Sequence, residues 1–166
     1  MSEVVDLSNE YEIIESVGKA RAKTTPHNSF SNTEAENIAA HIDGFKAEYA
    51  LAKYLKLRPD LSISDDGDEG YDLVLPNSGL TIEVKMRRGK GKDLALRSLD
   101  PRELKADVIV LCWELEKHRI ELVGWLSKAA FYRKMKILWF GRSKRLGVEP
   151  SVLADIEELR IIQERT

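Results

Sequence analysis

Three side chains in one short stretch of this chain could do chemistry together: Asp72, Glu83 and Lys85. They lie in Gly70-Tyr71-Asp72-Leu73-Val74-Leu75-Pro76-Asn77-Ser78-Gly79-Leu80-Thr81-Ile82-Glu83-Val84-Lys85-Met86. The stretch reads as two short strands joined by a Pro-Asn-Ser-Gly turn. In the second strand Leu80, Ile82, Val84 and Met86 alternate with Thr81, Glu83, Lys85 and Arg87. A period of two puts the apolar set on one sheet face and the charged set on the other. Glu83 and Lys85 then point the same way, and a hairpin can bring Asp72 close to Glu83. Two carboxylates and one ammonium form a site for a hard divalent cation with a lysine beside it, which suits phosphodiester hydrolysis. The plainer alternative is that Thr, Glu, Lys and Arg on one face are the solvated side of a hairpin. The context on both sides of the stretch bears on that choice.

Upstream, Ser31, Asn32 and Thr33 offer N-cap residues, with Glu34 and Glu36 following. Ile38, Ile42, Phe45, Tyr49, Ala52 and Leu55 then recur at helical spacing, and Glu48 lies within that helix. Gly44-x-x-x-Glu48-x-x-x-Ala52-x-x-Leu55, an acidic loop ending in Gly70-Tyr71-Asp72, and Glu83-Val84-Lys85 together resemble the PD-(D/E)xK nuclease superfamily, in its small restriction-type and phage-encoded members. The resemblance runs from Asp43 to Phe131. It includes the Asp107–Trp113 strand and the Val123-Gly124-Trp125 segment. Tyr71 stands where the family name has proline. The Gln-x-x-x-Tyr helix of the RecB-like exonuclease branch is absent between Ser127 and Met135.

The resemblance implies an α/β fold, a restriction-endonuclease-like mixed central β-sheet flanked by α-helices. It implies a Mg²⁺-dependent deoxyribonuclease, an endonuclease, with DNA as partner and Mn²⁺ able to substitute. Asp72, Glu83 and the backbone carbonyl of Val84 would ligate the metal. Lys85 would orient or deprotonate the attacking water, or stabilise charge on the phosphate. Glu48 would hold a metal-bound water or the lysine, or join a second metal site. The ordinary role for Glu48 is an exposed helix glutamate paired with Lys46 or Lys53. Analogy with the family also suggests a homodimer. Two other classes compete with the enzyme. One is a catalytically inactive nuclease-fold module that binds nucleic acid. The other is a structural or protein-interaction domain, in which Asp72, Glu48 and Lys85 do not converge.

Charge distribution bears on the partner. The formal net charge is −2, which is not the balance of a nucleic-acid coat protein. Asp60, Asp65, Asp66, Asp68, Glu69 and Asp72 make an acidic segment, whereas Lys85, Arg87, Arg88, Lys90 and Lys92 follow without an opposing acid. A second basic run holds Lys128, Arg133, Lys134, Lys136, Arg142, Lys144 and Arg145. Both could track a phosphate backbone; the residues expected to contact nucleic acid are Arg87, Arg88, Lys90, Lys92, Arg142, Lys144 and Arg145. Trp139 and Phe140 could stack on a base, a core or dimer contact being the plainer role. The acidic segment fails as an EF-hand, because Gly70 and Tyr71 fall where a ligand and the turn glycine are needed. His27, His41 and His118 show no zinc spacing.

The 166 residues are expected to form a single domain with its core over about 33–135. A helix is expected over Leu7–Ala22, with Tyr11, Ile14 and Val17 inward, then a loop over 24–29. Gly89–Lys105 reads as irregular, Val108–Trp113 as a strand buried on both faces, Glu114–His118 as a turn and Arg119–Trp125 as a strand. Helices are expected over Leu126–Lys136 and 150–163, with Gly141–Gly147 a loop. No apolar run approaches the roughly 20 residues of a membrane span, and no secretory signal is visible at the start. Cys112 has no disulfide partner, so a reducing cytoplasm is the expected location.

Overall fold

The computed structural model describes residues 1–24, 33–63 and 70–165. The chain runs β1 (Glu3–Asp6), α1 (Tyr11–Thr24), α2 (Glu34–Tyr54), β2 (Leu73–Val74), β3 (Thr81–Arg88), β4 (Leu94–Ala95), β5 (Val108–Glu116), β6 (Arg119–Ser127), α3 (Lys128–Lys134), β7 (Lys136–Phe140), β8 (Ser143–Val148) and α4 (Ile156–Glu164). Two sheets form. The larger has the order β1-β6-β5-β3-β2, and the smaller β4-β8-β7. β3 and β5 pair in parallel, while the other pairs are antiparallel, so the main sheet is mixed. The architecture is mixed α/β, a curled mixed sheet flanked by helices. No helix among the described residues is long and apolar enough to cross a membrane.

Strand alternation divides the core in two. Ile82 and Val84 of β3, with Val108, Val110 and Cys112 of β5, pack beneath Phe45, Leu51, Ala52 and Leu55 of α2 and Ile14 and Val17 of α1. Ile109 and Leu111 face the other way, into a cluster with Leu94, Leu96, Leu104, Phe131 and Val148. The central β5 is therefore apolar on both faces, as its continuous run requires. Thr33 caps α2 by accepting the Glu36 N–H at 3.1 Å; Ser31 and Asn32 lie outside the described residues. Ile42 closes on Gly18, where a Cβ would fall 2.7 Å from the Ile42 side chain, so α1 and α2 touch through a glycine. The face of α2 is more alanine-rich than the large residues alone suggest, with Ala47 and Ala50 fully buried.

Several expected elements differ. The N-terminal helix begins at Tyr11 rather than Leu7, because Val4 and Val5 pair with β6 and Ser8 folds back on Asp6 through its N–H and hydroxyl. The helix expected over Leu126–Lys136 shrinks to α3. Its first residues extend β6, and Ser127 caps it by accepting from Ala130 N at 3.2 Å. The expected Gly141–Gly147 loop is a strand. Lys136–Phe140 and Ser143–Val148 form a hairpin around Gly141, which turns at φ 59°. The C-terminal helix starts at Ile156, since Ala154 is extended and bridges to Trp125 across Gly124. β5 runs on to Glu116, which narrows the expected turn, and Leu94–Ala95 form a strand in a stretch expected to be irregular. The 24–29 loop and the acidic residues Asp65, Asp66, Asp68 and Glu69 lie outside the described residues, apart from Thr24, which ends α1.

Candidate functional site

The expected hairpin forms. Leu75 N–H donates to Leu80 O at 2.9 Å, and the turn closes through Gly79 at φ 72°. Strand β2 is only two residues long, so it covers β3 at Thr81 and Ile82 and no further. Asp72 continues where β2 stops. Its N–H donates to Ile82 O at 2.8 Å, and its carboxylate Oδ2 accepts the Val84 N–H at 2.6 Å. A side chain thus takes the place of a missing strand. Alternation turns the Val84 carbonyl to the same edge of β3 as its N–H, away from the β5 ladder. Asp72 and the Val84 backbone therefore meet at a fork where the sheet edge is open.

Glu83 and Lys85 flank Val84 and project from the opposite side of the pleat to Ile82 and Val84. They form an ion pair, Lys85 Nζ to Glu83 Oε1, with only 14% and 17% of the side chains exposed. Their neighbours across the parallel ladder are Ile109 and Leu111, both fully buried. Glu83 and Lys85 are therefore largely withdrawn from solvent while still reachable, unlike the freely solvated side of a hairpin. Desolvating two charges can cost more than their attraction returns. A second clamp lies on the other edge of β3. Asp107 Oδ2 accepts the Thr81 N–H at 3.0 Å and the Thr81 hydroxyl at 2.8 Å, joining the starts of β3 and β5. Those two bonds hold the Asp107 carboxyl below the usual carboxylate range.

Glu48 is placed differently. It is mostly buried on α2 and pairs with Arg21 of α1 at 2.9 Å. The expected pairing with Lys46 or Lys53 does not occur. Lys46 reaches Glu114 at 2.6 Å, and Lys53 reaches Glu10 at 2.6 Å. Helix α2 packs on the Ile82 and Val84 face, whereas Glu83 and Lys85 project from the other. Arg21 also donates to the carbonyls of Asp60 and Ser62 and lies 4.4 Å over the Phe45 ring. Nearby, burial, then Arg21 and Arg97, pushes the His41 imidazolium pKa down. This arginine-centred knot was not visible in sequence, because it joins residues distant along the chain with no periodic signature.

The basic residues also separate. Arg88 is bound to Asp43 at 2.8 and 2.5 Å and Lys90 lies 3.4 Å from Glu121, so both are partly neutralised. Arg87, Lys92 and Arg145 instead line an open cleft of about 500 Å³ with Gly91, Asp93, Trp139, Phe140 and Gly141. Arg142 and Lys144 belong to the same hairpin. Trp139 is 68% exposed, which excludes the expected core role. Cys112 is fully buried, and burial pushes its thiol pKa far up, so it is an inert packing residue.

The Asp72 carboxylate, the adjacent Val84 carbonyl and the Glu83 carboxylate one residue along β3 are hard-oxygen donors of the kind that Mg²⁺ takes while keeping several waters. One Glu83 oxygen is engaged by Lys85 and one Asp72 oxygen by Val84 N–H, so a cation would share or displace those contacts. Among the described residues, no group of three or more His, Cys, Asp and Glu side chains is placed to hold a metal. Comparison with protein-family models, curated proteins and solved structures found no match.

Proposed function

We propose that this chain is a metal-dependent deoxyribonuclease of restriction-endonuclease-like fold, with Asp72, Glu83, the Val84 carbonyl and Lys85 as its site. The observation that carries the reading is the enclosed Glu83–Lys85 pair beside the Asp72 fork. A charge pair largely withdrawn from water is weak support for stability. Such a pair fits better where a substrate or ion uses it. The open edge of β3, the parallel β3–β5 pair and the flanking helices agree with the same fold.

Asp72, Glu83 and the Val84 carbonyl would hold Mg²⁺, which when bound supplies Lewis-acid activation of water and phosphate. Lys85 would sit beside the reacting phosphate, where its ammonium stabilises developing negative charge. The Thr81–Asp107 clamp joins the starts of β3 and β5 and so helps hold Glu83 and Lys85 in register with Ile109 and Leu111. Glu48, engaged by Arg21, stands outside this minimal set. The test is incubation of supercoiled, linear and branched DNA with Mg²⁺, Mn²⁺ or chelator. Metal-dependent strand breakage supports the proposal; its absence on all three substrates contradicts it.

A further inference from the structure

Cations without a salt bridge are scattered over this protein, but five of them are grouped at one hairpin beside aromatic rings and an open cleft. Lys46, Lys53, Arg88, Lys90, Arg102, Lys136 and Arg160 are in salt bridges. Arg87, Lys92, Arg142, Lys144 and Arg145 form none among the described residues, and they gather around one hairpin. Arg87 lies 4.4 Å and Arg145 5.2 Å over the Phe140 ring, and Lys144 lies 4.8 Å over Trp139. Arg145 Nε is buried without a hydrogen-bond partner. Burial and the nearby Arg145 both push the Arg87 pKa down, while Asp93 offsets part of that. Two guanidiniums held near each other without an ion-pair partner make a place for an anion. The indole of Trp139 stands in solvent beside them, and the Trp113 indole fixes the adjoining turn by donating to Lys92 O at 2.9 Å.

We infer that the β7–β8 hairpin binds single-stranded DNA, with a base stacked on Trp139 and phosphates on Arg87 and Arg145. The choice of ligand rests on the nuclease reading. Charge complementarity selects a polyanion, and the exposed indole selects a strand whose bases are unstacked, because a duplex offers no free base face. Position connects this surface to the fork. Arg87 is two residues along β3 from Lys85 and shares its face, a separation of about 7 Å. A strand held at Arg87 therefore reaches Lys85 within one or two nucleotides.

The experiment is anisotropy of a labelled thymidine oligonucleotide and of a duplex of equal length, in chelator, with the full chain. The wild type is expected to prefer the single strand. Trp139→Ala is expected to weaken binding between about fivefold and about 150-fold, with Trp139→Phe restoring most of it. The double variant Arg87→Gln with Arg145→Gln is expected to flatten the salt dependence, by roughly 1.4 in log–log slope for two phosphates. An unchanged melting temperature for Trp139→Ala keeps the comparison clean, since that side chain is mostly exposed. Equal affinity of Trp139→Ala and wild type overturns the inference, as does a duplex preference. A changed oligomeric state in Trp139→Ala with binding intact also overturns it, and makes a second copy the occupant. Because chelator suppresses cleavage, tight single-strand binding by a chain that never cuts DNA defeats the nuclease reading and leaves this one standing.

Discussion

Removing Lys85 alone should destabilise the fold more than removing Lys85 and Glu83 together. Lys85→Ala leaves the Glu83 carboxylate, 14% exposed, beside Ile109 and Leu111 with no cation. Breaking a fully buried pair costs about 3–5 kcal/mol. The remaining exposure lets some water reach Glu83, so about 2–3 kcal/mol is expected. For a chain of this length each kcal/mol moves the melting temperature by about 2–4 °C. Lys85→Ala should therefore melt about 4–12 °C below wild type. Glu83→Leu with Lys85→Met replaces both charges by apolar groups on a face that already packs Ile109 and Leu111. That double variant should be neutral, or more stable by up to about 4 kcal/mol. The assay is thermal and urea denaturation followed by circular dichroism, with a check that the urea slope is unchanged. A double variant losing as much stability as Lys85→Ala would mean that the pair is structural, and the argument from its cost would fail.

Three other outcomes follow from the same structure. Gly124→Ala places a Cβ 2.5 Å from the Ala154 carbonyl, a backbone atom that cannot swing aside; a loss of about 1–3 kcal/mol in urea denaturation is expected. Asp107 has a folded pKa below its ordinary value of 3.8. Its stabilisation is therefore complete above that value and is lost as pH falls through the depressed one. Asp107→Asn should flatten that part of the acid limb in a pH series of melts, and an unchanged limb would contradict the clamp. Mg²⁺ binding at the fork should raise the melting temperature with the logarithm of its concentration, and Asp72→Asn should reduce that rise.

Periodicity carried the sequence reading where periodicity decides structure. The alternation in β3, the continuous apolar run of β5 and the capped start of α2 each led to the observed element. It failed where tertiary contacts decide. Lys136–Phe140 and Ser143–Val148 alternate poorly, with Arg142, Lys144 and Arg145 clustered at their turn, so a strand looked like a charged loop. Val4 and Val5 are strand because β6 offers them an edge, which no local signal announces. At the site, the nearness of Asp72 to the Glu83–Lys85 segment was readable from the hairpin. The burial of the Glu83–Lys85 pair was not, because strand alternation says which side chains share a face but not how far that face is withdrawn from solvent. Glu48 was read from its helical position alone; the inward stripe of the first helix was readable, but not that Arg21 meets Glu48 where the two helices pack.

The most direct measurement is single-turnover cleavage of DNA by wild type, Asp72→Asn and Lys85→Ala in Mg²⁺, with affinity measured separately in chelator. Wild type is expected to cut. Lys85→Ala, tested well below its melting temperature, should bind DNA nearly as tightly and fail to cut, since one ammonium is a small share of the phosphate-contacting charge. Asp72→Asn should lose both Mg²⁺ binding and cleavage. A Lys85→Ala protein that cuts at the wild-type rate, or an Asp72→Asn protein unchanged in metal binding and cleavage, would contradict the proposed site.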